Sequence, residues 1–318
     1  MVKVSIVIPV KNNARLLEKC LASIQDLNFP KNEFEVIVVD GGSTDGSVEV
    51  AKRIGCRVIA EDRGVISYAR DLGVKYASGE FIAFTDSDCI VEKNWLMELL
   101  KHFNDESIAA VGGPNLTPED DTEFAKCVGD VLSFLSKLGA RYGLNDRAVR
   151  EIYHNPTCNV MYRRKVLEEV GGFNVNLITA DDEELDYRIR SRGYKILYTP
   201  YAIVYHYRRR DWRSFMKMAY NYGLGRIQAI KLHRQLGKWF HFVPSTVILL
   251  IFLLLMLSLI SSVYLITVLF ILAMGGAGTI IIGLHLRNNK KRGLLTYVWL
   301  IMIWFLGYGI GMLRGVIK

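Results

Sequence analysis

The sequence predicts an α/β domain on a mixed, mainly parallel sheet, with membrane helices after it, on three grounds. Short apolar runs alternate with amphipathic segments through the first third of the chain, the pattern of strands joined by covering helices. Two of these runs lead into Asp residues that would lie on the carboxyl edge of such a sheet, where open α/β folds bind ligands. The last third contains long stretches without any charged side chain.

Val4–Val10 is the first expected strand, and Asn12 or Asn13 caps a helix over Ala14–Gln25. In that helix Leu16, Leu17, Leu21 and Ile24 form one apolar face. Phe34–Val39 is a second strand closing on Asp40. Gly41–Gly46 is a turn, Ser47–Ile54 a helix and Arg57–Ala60 a short strand. Ile66–Tyr76 is helical, and Phe81–Thr85 is a buried strand that delivers Asp86-Ser87-Asp88 to the sheet edge. Lys93–Phe103 is a helix and Ile108–Val111 a strand. Regularity then fades. Pro118–Asp121 is an acidic loop, Phe124–Leu138 an amphipathic helix and Arg141–Arg150 a polar loop. Asn159–Tyr162 is strand-like, Asp182–Arg192 a charged helix, and Ile196–Tyr198 and Ile203–Tyr205 are strands.

Charge is divided unevenly. Residues 1–206 carry 31 acidic and 25 basic side chains; residues 207–318 carry 15 bases and a single acid, Asp211. This division excludes a uniformly basic nucleic-acid binder and points to a membrane surface. Trp239–Leu286 is 48 residues without Asp, Glu, Lys or Arg, enough for two spans of about 20 residues that turn at Ser261-Ser262. Gly293–Leu313 supplies a third. The expected organisation is a domain over 1–206, a basic interfacial segment over 207–240, and spans at 242–260, 263–286 and 294–313.

Met1-Val2-Lys3 runs straight into a short apolar strand, which does not fit a secretory signal. Nine Lys/Arg between Arg208 and Lys238 and four between Arg287 and Arg292 place the first domain on the cytoplasmic face, although Arg314 and Lys318 then fall on the other side. Trp212, Phe215, Ala219 and Tyr222 recur at helical spacing among Arg213, Lys217 and Arg226. That segment is expected either on anionic membrane lipid or as a connector helix packed on the first domain. The five cysteines are scattered and odd in number, as reduced structural thiols are.

Asp86 and Asp88 repel each other unless a hard cation lies between them and a phosphate-bearing ligand. Asp40 on the same edge either accepts from a base or ribose, or caps the following turn. Arg70 either forks onto a diphosphate or pairs with Asp71 or Asp62. Asp181 to Asp186 places five acids in six positions at a helix start. The helix dipole favours some of them. Asp182 and Asp186 share a face, and one carboxylate in a cleft among acidic neighbours is a usable general base. His206 fits a structural strand-end histidine.

Val4–Val10, Asp40-Gly41-Gly42-Ser43-Thr44-Asp45, Ala69-Arg70-Asp71-Leu72-Gly73, Thr85-Asp86-Ser87-Asp88, Gly171-Gly172-Phe173 and Asp182-Glu183-Glu184-Leu185-Asp186-Tyr187-Arg188 occur in that order. As a set they resemble the family 2 inverting glycosyltransferases, over about residues 3–206, and imply a GT-A fold. The resemblance implies that Pro9 and Asp40 line the donor site, with Asp40 on the nucleotide base. Arg70 would contact phosphate, Asp86 the ribose or sugar, and Asp88 a divalent metal, Mg²⁺ or Mn²⁺. Asp182 matches the second residue of the family's Glu-Asp pair, the catalytic base, with Asp181 in place of the Glu. Asp71 stands where Asn is usual. Gln235–Trp239 is the nearest match to the processive members' Gln-any-any-Arg-Trp, with Lys238 for Arg, and reads instead as an interfacial Trp and a snorkelling Lys.

The implied activity is transfer of a sugar from a nucleotide-diphosphate donor to a hydroxyl of a glycan or lipid-linked acceptor. Asp181, Thr157, Asn159, Tyr222 and Arg226 are expected near the acceptor or behind the base. Two alternatives stay open. One is transfer to a polyprenyl phosphate, which is already ionised and needs no base. The other is a non-catalytic sugar-nucleotide-binding membrane scaffold, which the intact Asp40, Asp86, Asp88 and Asp182 disfavour.

Overall fold

A computed structural model describes residues 2–136, 148–287 and 292–317. The chain folds as two units, Met1–Glu119 with Ser136–Tyr207, and Asp120–Leu135 with Arg208–Lys318. Most of the polar loop expected over Arg141–Arg150, and the centre of the basic loop over Arg287–Arg292, lie outside the described residues.

In chain order the elements are β1 (Val4–Val10), α1 (Ala14–Gln25), β2 (Phe34–Asp40), α2 (Ser47–Arg53), β3 (Arg57–Ala60), α3 (Ile66–Tyr76), β4 (Phe81–Phe84), β5 (Cys89–Val91), α4 (Trp95–Leu100), β6 (Ile108–Gly112) and β7 (Asn115–Leu116). Then come α5 (Glu123–Ser136), β8 (Arg150–Glu151), β9 (Val160–Arg163), α6 (Arg164–Val170), α7 (Asp181–Ser191), β10 (Lys195–Tyr198) and β11 (Val204–His206). The C-terminal helices are α8 (Trp212–Leu232), α9 (Trp239–Leu257), α10 (Ser262–Arg287) and α11 (Leu294–Ile317).

The first unit is a mixed, mostly parallel sheet of eight strands in the order β3-β2-β1-β4-β9-β6-β10-β8, with a small second sheet β5-β11-β7. β9 runs antiparallel between β4 and β6. Every residue of β1 is buried, which is why its sequence is almost wholly apolar. Alternate side chains feed two cores. Val4, Ile6 and Ile8 pack in one with Leu17, Leu21 and Ile24 of α1. Val7 joins Ile37, Val39 and residues of α3 and α7, including Ala69, Leu185 and Ile189, in the other. α3 lies close on β1 at Gly73, where an added Cβ would stand 2.3 Å from Val7 Cγ1.

Expected and observed elements agree closely up to β4. Two departures have simple causes. The expected helix over Lys93–Phe103 shortens to Trp95–Leu100, closed at both ends by turns. β5, β7 and β8 are two or three residues long, too short to show any periodicity.

In the second unit α9, α10 and α11 are long and apolar enough to cross a membrane. Only 6% of the most apolar window of α9 or α10 is buried, against 44% for α11. Helices apolar all round and exposed all round are stable in lipid, not in water. α11 is covered by α8. Gly307, Gly311 and Gly315 recur every fourth residue along this seam. An added Cβ on Gly311 would lie 2.0 Å from the Tyr220 carbonyl oxygen, and one on Gly223 the same distance from that of Tyr308. Small residues at this spacing let two helix backbones touch. Phe215, Ala219, Leu224 and Ile227 of α8 are buried, while Arg213 and Lys217 are exposed. The apolar face of α8 thus has a protein partner, α11. α5 joins the same unit through Asp130, which pairs with Arg292 and accepts from the Tyr297 hydroxyl at 2.7 Å.

Candidate active site

Three strand ends of the first unit carry the donor-side candidates. Pro9 is buried near the end of β1, opposite Val39. Asp40 closes β2 with its carboxylate accepting the N–H groups of Gly42 and Ser43, both at 3.1 Å. The turn-capping role is therefore realised, and Gly42 at φ 79° supplies the left-handed residue this turn needs. Asp86 and Asp88 follow β4 in a turn closed by the Cys89 N–H on the Asp86 carbonyl at 3.0 Å.

β5 and β11 pair antiparallel with His206 opposite Cys89. That register sets His206 Nε2 3.2 Å from Asp88 Oδ1. His206 ends a strand, as expected, and its ring faces the Asp88 carboxylate. Nothing in the local sequence signals this, because a three-residue strand pairing with another leaves no periodic trace.

The ligand atoms of Asp86, Cys158 and His206 lie within 4.8 Å of one another, and so do those of Asp88, Cys89 and His206. Each set holds one carboxylate, one imidazole and one buried thiol, and its carboxylate and imidazole suit a hard-to-borderline divalent cation. Burial pushes the Cys89 thiol far above its ordinary range. Cys158 is lowered to about 6, chiefly by its hydrogen bond with Cys89 and less by that with His206.

Arg70 pairs with neither of its expected neighbours, Asp71 and Asp62. Its Nη1 donates to Asp181 Oδ2 at 2.8 Å and its Nη2 lies 3.4 Å from Asp86 Oδ1. Nε of this buried guanidinium has no partner among the described residues. Burial works against its charge, but Asp181, Asp86 and Asp182 outweigh it and raise the guanidinium further. Burial in turn raises the Asp181 carboxyl, and Arg70 opposes that rise. Asp71 instead clasps the Gly171-Gly172-Phe173 turn, accepting the Phe173 N–H at 3.2 Å and pairing with Lys75 at 2.8 Å. An Asn could accept the same N–H, so the departure from Asn costs this contact nothing.

The chain enters α7 through Ala180 at φ 61°, a left-handed conformation that costs an alanine about 1–2 kcal/mol. The next two residues are Asp181 and Asp182. Asp182 accepts the Thr157 N–H at 3.3 Å and the Glu183 N–H at 2.9 Å, and its side chain stays 19% exposed. His154 approaches it at 3.9 Å. Asp186, one turn on, is fully buried and accepts from the Asn155 N–H and the Tyr162 hydroxyl, both at 2.9 Å. His154 and Tyr162 had no sequence signal.

Asn159 is spent on structure. Its amide donates to the Pro114 and Ala202 carbonyls and accepts the Trp95 indole N–H at 2.8 Å. Tyr222 and Arg226 belong to the second unit, where the Tyr222 ring meets Trp304 edge-on at 5.6 Å. That unit also has a shallow groove of about 430 Å³ between α8 and α11, lined by Trp212, Met216, Tyr220 and Ile310 with Arg213 and Lys217.

Residues 5–171 match the model of glycosyl transferase family 2. The chain is 30% identical over 241 residues to glycosyltransferase AglE of Haloferax volcanii, covering 73% of this chain and 75% of that protein. It is 24% identical over 235 residues to the dolichyl N-acetyl-alpha-D-glucosaminyl phosphate 3-beta-D-2,3-diacetamido-2,3-dideoxy-beta-D-glucuronosyltransferase of Methanococcus voltae, covering 69% and 71%. Among solved structures, the mannosyltransferase PcManGT from Pyrobaculum calidifontis, in complex with GDP-Man and Mn²⁺, superposes with a TM-score of 0.64. That match covers 98% of this chain and 87% of the other at 20% identity, a likeness of fold.

Proposed function

Given that the chain belongs to glycosyl transferase family 2 and is a glycosyltransferase, we propose that it moves a sugar from a nucleoside-diphosphate donor to a hydroxyl of a glycan or lipid-linked acceptor. The displacement is single and inverts the anomeric carbon. One observation carries this reading. Arg70 joins Asp86, on the donor edge of the sheet, to Asp181 at the head of α7, next to Asp182. One donor-edge carboxylate and the residue next to the base are thereby tied to one buried cation.

The donor's base and ribose lie over the ends of β1 and β2, at Pro9 and Asp40. Asp88, with His206 and Asp86, would hold a divalent cation. When bound, that ion offsets the charge that grows on the departing diphosphate. The imidazole in the donor set favours Mn²⁺ over Mg²⁺, and the Pyrobaculum neighbour was solved with Mn²⁺. Asp182, held by Thr157 and partly open to solvent, takes the proton from the acceptor hydroxyl as its oxygen attacks the anomeric carbon. The bond to the diphosphate breaks and the nucleoside diphosphate leaves.

The acceptor is lipid-linked and the enzyme is anchored by α9, α10 and α11, with the catalytic unit on the cytoplasmic face. Three apolar helices support anchoring. The Methanococcus relative, named for a dolichyl-phosphate-linked sugar acceptor, supports the lipid link. Exposed Arg213 and Lys217 beside the α8/α11 groove suit an anionic lipid headgroup. Tyr222 and Arg226 lie on the same helix as that groove, and this reading assigns them to the acceptor.

The test is transfer of radiolabel from a panel of UDP- and GDP-sugars into a membrane lipid extract, with and without Mn²⁺. Mn²⁺-dependent transfer by the wild type, lost in both Asp88→Ala and Asp182→Asn, is expected. Full transfer by Asp182→Asn with none by Asp88→Ala assigns an ionised polyprenyl phosphate acceptor instead. Absence of transfer and of donor hydrolysis across the panel overturns the enzymatic reading in favour of a scaffold.

A further inference from the structure

We propose that His154 is a positioning residue for the base: it bridges Asp182 and the buried Asp186, and so fixes the Asp182 carboxylate in orientation. The proposal rests on the reading of Asp182 as the base.

Asp182 and Asp186 are four residues apart on α7 and therefore on one face. His154 comes from a different part of the chain, between β8 and β9, and fits its ring across that face. Its Nδ1 lies 3.0 Å from Asp186 Oδ2 and its Nε2 3.9 Å from Asp182 Oδ2. Asp186 has no exposed surface on its side chain. A carboxylate removed from water must be compensated. Its other donors, the Asn155 N–H and the Tyr162 hydroxyl, are neutral. Among the described residues, His154 is the cation paired with it. Asp186 thus fixes the proton on Nδ1 and aims Nε2 at Asp182.

The groups around the ring agree on its charge. Asp182, Asp186 and Glu183 face it from α7, Tyr162 from β9 through Asp186, and Arg70 of α3 acts nearer Asp181. Arg190 stacks on Tyr153 and donates to its carbonyl, which holds the backbone next to His154. Burial opposes charging the imidazole, but the three carboxylates prevail and push it up to about 9. A ring already protonated at neutral pH cannot be a second base. What it supplies is charge. Asp182 sits beside three further carboxylates, those of Asp181, Glu183 and Asp186. The imidazolium offsets one of them.

The full chain in detergent micelles, labelled with ¹⁵N-histidine, reports both ring nitrogens directly. At about pH 7.5 both nitrogens of His154 are expected to be protonated, and Asp182→Asn should lower its proton affinity about tenfold or more. A neutral ring at that pH, or a titration unmoved by Asp182→Asn, overturns the proposal without reference to turnover. In the radiolabel assay, His154→Gln should cut transfer about tenfold near pH 7 and much less near pH 10, where the wild-type ring has lost its proton. A loss equal at every pH marks a merely structural role and overturns it. If His154 and Asp182 couple as stated while Asp182→Asn transfers at full rate, the coupling stands and the assignment of Asp182 as base fails.

Discussion

Arg70 and Asp181 form a buried ion pair, Nη1 to Oδ2 2.8 Å, with side chains 7% and 3% exposed. Arg70→Met would leave Asp181 without its cation in a dry setting. Breaking such a pair costs about 3–5 kcal/mol. The midpoint of chemical unfolding should fall accordingly and sugar transfer should vanish. Arg70→Lys, a single point charge, cannot reach Asp86 and Asp181 in one fork and should recover only part of either. An unchanged midpoint in Arg70→Met would show that Asp181 is carried neutral in the fold.

His206 should prove as necessary to the metal as its position beside Asp88 requires. His206→Ala is expected to weaken Mn²⁺ roughly 10- to 100-fold, read as the Mn²⁺ concentration needed to stabilise the chain thermally in the presence of GDP or UDP. Asp88→Ala should abolish that stabilisation. Equal Mn²⁺ response in wild type and His206→Ala would return His206 to a purely structural role.

Stability should fall as pH rises past neutrality. The His154 imidazole binds its proton more tightly folded, at about 9, than the ordinary 6.5. Its contribution is complete below 6.5 and lost as pH climbs through about 9. The amount is on the order of 3 kcal/mol. Denaturant unfolding across this range should show the slope in the wild type and lose it in His154→Gln.

The glycine seam between α8 and α11 predicts a sharp positional contrast. Gly311→Ala drives a methyl to 2.0 Å from the Tyr220 carbonyl, so the two helices must part. Overpacking of this sort costs about 1–3 kcal/mol or more. Gly276→Ala in α10 meets nothing within 4 Å and should be silent. Thermal inactivation in detergent would compare the two, and equal behaviour would exclude the seam.

The part up to β4 was legible because β1 and β4 are fully buried and β1, β2 and β3 are each followed by a helix. Val4–Val10 and Phe81–Phe84 announce themselves by apolar runs alone. The positions of Asp40, Asp86 and Asp88 at strand ends and of Asp182 at a helix start were legible, and they are candidates because open sheets bind ligands at such edges. The rest depends on pairings between segments far apart in the chain. His206 meets Asp88 through the β5/β11 register, and His154 meets Asp182 and Asp186 through a loop 28 residues upstream of Asp182. The partners of Asn159 were equally hidden: its amide meets two backbone carbonyls and the Trp95 indole, all from distant segments. The amphipathic pattern of α8 was visible, but apolar spacing cannot tell a lipid partner from a glycine-lined helix.

The placement of α5 bears on how this protein can be cut. The chain passes between its two units near Glu119, Ser136 and Tyr207, so α5 sits early in the sequence yet belongs with the C-terminal helices. A fragment ending at Tyr207, the obvious way to shed the membrane helices, would keep α5 and discard Arg292, Tyr297 and His285, which it touches. Asp130 would lose its counter-ion and the greasy flank around Val128, Val131 and Leu132 would lose its unit, leaving a sticky orphan on the excised domain. Solubility gained by removing the spans would be forfeited unless residues 120–135 were excised or recoated with polar side chains as well.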